Sequence, residues 1–298
     1  MNTRTEEERR ASPRLESGKE LPPALAAKYA ALRALLAERL AGGLVVAFSG
    51  GVDSAFLLWA AEQVRREKGG RLVAVTAVSA SLPQHEREEA ARFARSLGVE
   101  HRWMDSSEVS NPDYARNDAL RCYHCKTELF RLCLDLTAEK DLRSVAYGHN
   151  ASDRGDHRPG HRAAAEAGVA SPLDEAGLEK DDIRALLRAF GLPLADKPAS
   201  PCLSSRLMQG VPVTPAKLRD VEDMESILRR GGLRVFRVRL HEDGEVRYFR
   251  IEVAPAEMPA ALGLREELVA AAQARGYRWA TLDLAGYRLG GASAAPRR

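Results

Sequence analysis

Between two apolar runs, Leu44-Val45-Val46-Ala47-Phe48 and Ala55-Phe56-Leu57-Leu58, the chain reads Ser49-Gly50-Gly51-Val52-Asp53-Ser54. A strand that breaks at paired glycines and resumes as a helix presents several backbone N–H groups at a positive helix N-terminus. Glycine permits positive φ and lets an anion approach the backbone closely. Such a turn is suited to phosphate. Ser49 and Ser54 add hydroxyl donors, and Asp53 can face a metal-bound phosphate. The loop G-x-x-x-x-G-K-S/T is absent and no lysine falls in the turn, which argues against ordinary γ-phosphoryl transfer.

Three cysteines carry a second kind of chemistry. Cys122 and Cys125 form a C-x-x-C pair in RCYHCK, and Cys202 lies in SPCLSSR, a Pro-flanked loop. The pair lies near a helix start, where thiolates are favoured. Three thiols can hold an iron–sulfur cluster with one iron left open. They can equally bind zinc, with His124 as a fourth ligand, or form a reversible disulfide. Cys133, within FRLCLDL on a helical run, reads instead as core.

Two further segments are polar where a site needs them. YGHNASDRGDHRPG (147–160) follows a strand and offers Gly148, Asn150 and Asp153, the last as a Mg²⁺ partner. Arg237 and Arg239 share one face of an extended run by the period of two, where paired guanidiniums can clamp a phosphate or carboxylate. The bland alternative is arginines on a solvent-facing strand.

The elements that must position these residues alternate. Helical spacing of Tyr29, Leu32, Leu36 and Leu40 ends at Gly42-Gly43, and strands are expected at 44–48, 71–79, 100–104 and 144–150. Helices fall at 54–66, about 83–97 and 125–139. This is an α/β pattern, a parallel sheet flanked by helices. After a Pro-rich stretch (193–215), a helix at about 215–230, strands at 234–240 and 245–253, a helix at about 256–275 and a strand at 278–284 describe a smaller C-terminal α+β domain. The expected boundaries are a leader at 1–23, a nucleotide domain at 24–200, a substrate-binding and oligomerisation domain at 201–291 and a tail at 292–298.

Composition sets limits on partners. With 298 residues and a net charge of +3, the chain has neither the basic excess of a nucleic-acid binder nor an apolar run that could span a membrane. The N-terminus lacks the apolar core of a secretory signal. Four cysteines do not make a disulfide scaffold, which points to a reducing cytoplasm.

The six-residue turn resembles the pyrophosphate loop of N-type ATP pyrophosphatases, the PP-loop superfamily. With RCYHCKTELF, GHNASDRGDHRPG, KPASPCLSSR, RVFRVRLHEDG, RIEV and ATLDLAGYRLG, in that order, the chain from about Leu25 to Gly291 resembles the LarE sulfur transferases. His149 stands where the superfamily pattern has Thr. The resemblance implies a PP-loop domain that binds ATP and Mg²⁺ through Ser49 to Ser54, Gly148 and Asn150. It implies a substrate that is a pyridinium-3,5-biscarboxylic acid mononucleotide, adenylated and then given sulfur to form a thiocarboxylate for the nickel-pincer cofactor of lactate racemase. Ser205, with Arg206 beside it, Arg237 and Arg239 match positions that hold the substrate phosphate, and Glu225 an acidic metal position beside Asp53 and Asp153.

The family draws sulfur either from a sacrificed cysteine at the Cys202 position or through a [4Fe-4S] cluster on three cysteines. The trio Cys122, Cys125 and Cys202 points to the cluster class, fed by a sulfide source. A homo-hexamer, a trimer of dimers, is also implied. The competing readings are a tRNA-thiolating PP-loop enzyme, a PP-loop amide-forming synthetase, which leaves the cysteines unexplained, and a non-catalytic nucleotide-binding redox regulator.

Overall fold

The computed structural model describes residues 20–153, 159–198 and 200–288. Most of the expected leader and all of the expected tail lie outside the described residues, as does the middle of the 147–160 segment. In chain order the elements begin α1 (Pro23–Ala41), β1 (Leu44–Ala47), α2 (Val52–Lys68), β2 (Leu72–Val78), α3 (Gln84–Leu97) and β3 (Glu100–Asp105). They continue α4 (Pro112–Ala115), α5 (Arg121–Lys140), β4 (Ser144–Tyr147), α6 (Pro159–Glu166), α7 (Pro172–Glu175) and α8 (Lys180–Ala189). The last are α9 (Pro215–Arg230), β5 (Phe236–Asp243), β6 (Val246–Val253), α10 (Met258–Gly263), α11 (Arg265–Ala274) and β7 (Trp279–Leu282).

Contacts divide the chain into two units. The first takes the described residues of Met1–Val78, Gln84–Ser106 and Tyr123–Ser200; the second takes those of Ser79–Pro83, Ser107–Cys122 and Pro201–Arg298.

In the first unit four parallel strands lie in the order β3-β2-β1-β4. The apolar runs of β1, β2 and β4 have no polar face because both faces are covered, whereas the edge strand β3 is polar and partly exposed. Leu44, Val46, Leu72 and Ala74 join a core with α1, α2, α3 and α8, whereas Val45, Ala47, Val73 and Val75 turn to α5 and α6. The five buried residues of α1, Leu25, Tyr29, Leu32, Leu36 and Leu40, keep the spacing that marked it as a helix. Cys133 is fully buried in the second of these cores, and burial pushes its thiol pKa up to about 12. It is a packing residue.

The strand order reverses between β1 and β4, which pair in register from Leu44↔Ser144 to Ala47↔Tyr147. Both chains therefore leave the sheet at the same edge. The crevice beyond such a switch point is where open α/β sheets bind ligands.

The second unit is built on a mixed sheet in the order β5-β6-β7. β5 and β6 are antiparallel, and β6 and β7 are parallel. The single helix expected at 256–275 is instead two, broken at Gly263-Leu264, where the Leu264 N–H turns back to the Ala261 carbonyl.

Candidate active site

Leaving β1, the backbone takes a positive φ of 74° at Gly50, and Gly51 caps α2 in an extended conformation. The amides of Val52, Asp53 and Ser54 fall in the first turn of α2, where no carbonyl within the helix can accept them. Ser54 braces the turn. Its hydroxyl lies 3.1 Å from that of Ser49 and donates to the Gly51 carbonyl at 3.1 Å. The Ser49 N–H points at the same hydroxyl at 3.3 Å. The result is a braced turn that leaves the first amides of α2 at a helix N-terminus, the arrangement that binds anions.

The second loop fits against the first because Gly148 has no side chain. A Cβ there would fall 2.6 Å from the Ser54 nitrogen and 3.0 Å from the Asp53 carbonyl carbon. Asn150 is buried and shapes the turn, accepting the Ser152 N–H at 3.0 Å. His149 stacks on Tyr147 with its ring 8° from parallel, packs against His161, and has Nδ1 3.4 Å from the Asp153 carboxylate. The position that would carry a hydroxyl thus carries a buried aromatic base.

Two lysines complete this site, Lys180, which falls in no quoted motif, and Lys197, the first residue of KPASPCLSSR. Lys180, the first residue of α8, places Nζ 2.7 Å from both carboxylate oxygens of Asp53. Its backbone N–H is fixed by the Ser152 hydroxyl at 3.0 Å. Lys197 donates to the Gly50 carbonyl at 3.1 Å and to Glu86 and Glu89 at 2.7 Å each. Burial lowers the Lys197 pKa, but the two carboxylates outweigh it and the net shift is upward. The sequence holds a signal for α8, since Glu179 and Asp182 form a capping box ahead of Ile183, Leu186 and Leu187. It holds none for the partner of Lys180, which lies 127 positions away.

None of the three cysteines is in a disulfide: Cys122 is exposed and Cys125 and Cys202 are half-buried. Cys122 and Cys125 lie one turn apart on α5. Cys202 caps a 3-10 turn at Leu203–Arg206, and its carbonyl accepts from the Ser205 hydroxyl at 2.7 Å and from Arg206 at 3.1 Å. Arg121 stands with Cys122 and Cys202 in the second unit and donates to the Ser204 carbonyl at 2.9 Å. Burial lowers the Arg121 pKa, but Cys202, Cys122 and Tyr114 raise it further than burial lowers it. Among the described residues, no group of three or more His, Cys, Asp or Glu could hold a metal ion.

In the second unit the two arginines of β5 are buried, which removes the solvent-facing alternative: Arg237 is 9% exposed and Arg239 5%. Arg206, at 1%, forms a two-pronged pair with Glu225, with N–O distances of 2.9 and 3.2 Å. Glu225 also accepts the Val238 N–H at 3.2 Å, so the carboxylate considered for metal here holds an arginine and a strand. Arg239 pairs with Glu252 and donates to the Ser205 carbonyl at 3.1 Å. Arg250 bonds Glu252 and faces Asp283. Arg237 lies over the Tyr287 ring, 5.1 Å from its centroid. Burial, then Arg206, lowers its pKa. Four guanidiniums are thus gathered about one side of this sheet, the kind of group that holds phosphates and carboxylates.

No family model matches the chain. It is 40% identical over 251 residues to an uncharacterized protein of Synechocystis sp., covering 83% of this chain and 90% of that one. It is 33% identical over 266 residues to the pyridinium-3,5-bisthiocarboxylic acid mononucleotide synthase of Lactiplantibacillus plantarum, covering 89% of this chain and 94% of the relative. A weaker likeness, 32% identity over 53% of this chain, joins it to the tRNA-specific 2-thiouridylase MnmA of Xanthobacter autotrophicus, of which it spans about half (49%). With the loop, the sheet's switch point and this coverage together, the chain belongs to the LarE family of PP-loop ATP pyrophosphatases.

Proposed function

We propose that the chain is an ATP-dependent sulfur transferase acting on a carboxylate of a pyridinium mononucleotide, as the name of its Lactiplantibacillus relative suggests. The observation that carries the reading is the buried arginine cluster of the second unit, in a chain that also holds a pyrophosphate loop. The loop accounts for activation by ATP. The cluster accounts for a second, phosphate-bearing substrate, which pyridinium-3,5-biscarboxylic acid mononucleotide would be.

The chemistry divides in two. A carboxylate oxygen attacks the α-phosphorus of ATP, the bond to the bridging oxygen breaks, and pyrophosphate leaves into the donors of Gly50, Gly51 and the α2 N-terminus. Sulfur then attacks the acyl carbon and AMP departs with the C–O electron pair, leaving a thiocarboxylate. Activation is needed because an oxide is a poor leaving group and AMP a good one. Mg²⁺ would be shared between the nucleotide phosphates and the oxygens of Asp53 and Asp153, neutralising charge on pyrophosphate.

For the sulfur source, thiolates are the ligands an iron–sulfur cluster takes, and none of Cys122, Cys125 and Cys202 is in a disulfide. Cys122, Cys125 and Cys202 would hold a [4Fe-4S] cluster, which would supply a binding place for sulfide. The alternative is attack by Cys202 itself. A thioester forms, a base takes the Cα proton, the Cβ–S bond breaks, and dehydroalanine remains at position 202. Arg121 favours either course by facing both Cys122 and Cys202. The likeness to the tRNA thiolase covers about half of the chain and leaves an RNA substrate as the second reading.

The test is to supply ATP, Mg²⁺ and the pyridinium mononucleotide anaerobically and separate the nucleotides. AMP with pyrophosphate, formed only with the mononucleotide present, is expected. Release triggered by tRNA instead would favour the second reading. The mass of Cys202 after turnover, intact or lighter by H₂S, separates the two sulfur sources.

A further inference from the structure

We propose that Lys180 is the phosphate-binding cation of this loop, held in reserve by Asp53 until ATP arrives. The proposal rests on the pyrophosphate-loop reading and names a residue that the loop motif lacks.

A pyrophosphate leaving group concentrates negative charge, and backbone amides alone supply only partial charges to meet it. The loop contains no cation of its own, and two lysines are within reach of it. They are not equivalent. Lys197 is 11% exposed in its side chain and answers two carboxylates, one of them the buried Glu86 at 7%. Moving it would strand two negative charges, one buried, beside an incoming anion. Lys197 is therefore a latch, and its bond to the Gly50 carbonyl holds the loop in shape.

Lys180 is 38% exposed and answers one carboxylate, that of Asp53, itself 20% exposed. Asp53 is the second residue of α2, directly at the anion-binding end. Its carboxylate has an alternative cation as soon as a magnesium-bound nucleotide enters, and the exchange frees Lys180 with no charge left unpaired. The backbone of Lys180 stays fixed by Ser152 and by the capping box of Glu179 and Asp182, so only the side chain needs to swing. The Asp53–Lys180 pair is neutral while closed, and the exchange leaves the Lys180 ammonium to meet the phosphates.

The experiment is calorimetry on the full chain with MgATP, pyrophosphate and AMP as separate probes, in wild type, Lys180→Met, Lys180→Arg and Asp53→Asn. Lys180→Met should weaken MgATP and pyrophosphate by about tenfold or more, the loss of one charge-assisted contact, while AMP is unchanged. Lys180→Arg should restore most of the loss. Without Mg²⁺, Asp53→Asn should bind pyrophosphate more tightly than wild type, and adding Lys180→Met should abolish that gain. Equal weakening of AMP, no weakening of pyrophosphate, or a gain that survives in the double variant would overturn the proposal. If the wild type binds neither MgATP nor pyrophosphate, the loop reading falls first, and the proposal with it. Thermal midpoints of the variants within a few degrees of wild type identify the effects as local.

Discussion

Gly148 and Ser54 are in backbone contact: a methyl group on Gly148 would sit 2.6 Å from the Ser54 nitrogen and 2.8 Å from its Cα. The loops leaving β1 and β4 are thereby locked together across the switch point of the sheet. Neither partner can yield, because one is a strand end and the other the first turn of a helix. Gly148→Ala should cost about 1–3 kcal/mol by overpacking and should weaken MgATP binding disproportionately. Urea unfolding and nucleotide titration measure the two. A variant that binds ATP as wild type does would contradict the contact.

Glu225 and Arg206 exemplify a buried pair whose partners depend on each other. Removing one leaves a desolvated charge, and Glu225→Gln should lower stability by about 3–5 kcal/mol. Replacing both with apolar residues of similar volume should recover much of that loss. Denaturant midpoints of the single and double variants measure the difference.

Arg237 should behave in the opposite way. Burial and then Arg206 disfavour its charge in the folded chain. Arg237→Met should therefore leave stability unchanged or raised while lowering affinity for the substrate phosphate. Thermal scans beside titration with the mononucleotide and its dephosphorylated form test this. The dephosphorylated form should bind wild type and variant alike.

Glu86 gives the latch around Lys197 a pH signature. Burial alone would raise its pKa, but hydrogen bonds from His85, Lys197 and Ser200 lower it from 4.5 to about 2. A carboxylate depressed in the folded state stabilises the fold above its unfolded pKa and loses that contribution as the pH falls towards the folded value. The stability difference between wild type and Glu86→Gln, about 2–3 kcal/mol at most, should be full above pH 4.5 and fade towards pH 2. Denaturation curves across that range provide the measurement; a difference that stays constant would contradict the assignment.

Much of this was legible in the sequence where chemistry and periodicity coincide. β1, its glycine turn and α2 declare themselves because a fully apolar strand, two glycines and an amphiphilic run follow one another within 25 residues, from Leu44 to Lys68. The buried leucines of α1 recur at helical spacing for the same reason. What stayed hidden depends on distant partners. α8 was not anticipated, and nothing local ties Lys180 to Asp53. The burial of Arg237 and Arg239 was illegible because both faces of β5 are covered and the answering carboxylates come from α9 and β6. The break between α10 and α11 depends on Leu264 packing against Gly231, a contact that spans the second unit.

The most direct measurement follows the sulfur atom. The protein is incubated anaerobically with ATP, Mg²⁺, pyridinium-3,5-biscarboxylic acid mononucleotide and isotopically labelled sulfide, and the mononucleotide is analysed by mass spectrometry. The account predicts a mononucleotide in which one carboxylate oxygen is replaced by sulfur, formed with one AMP and one pyrophosphate for each sulfur inserted. The isotope will be in the product if sulfide is the donor and absent if Cys202 gives up its own sulfur. ADP and phosphate as products, or AMP release with no sulfur in the mononucleotide, would contradict it.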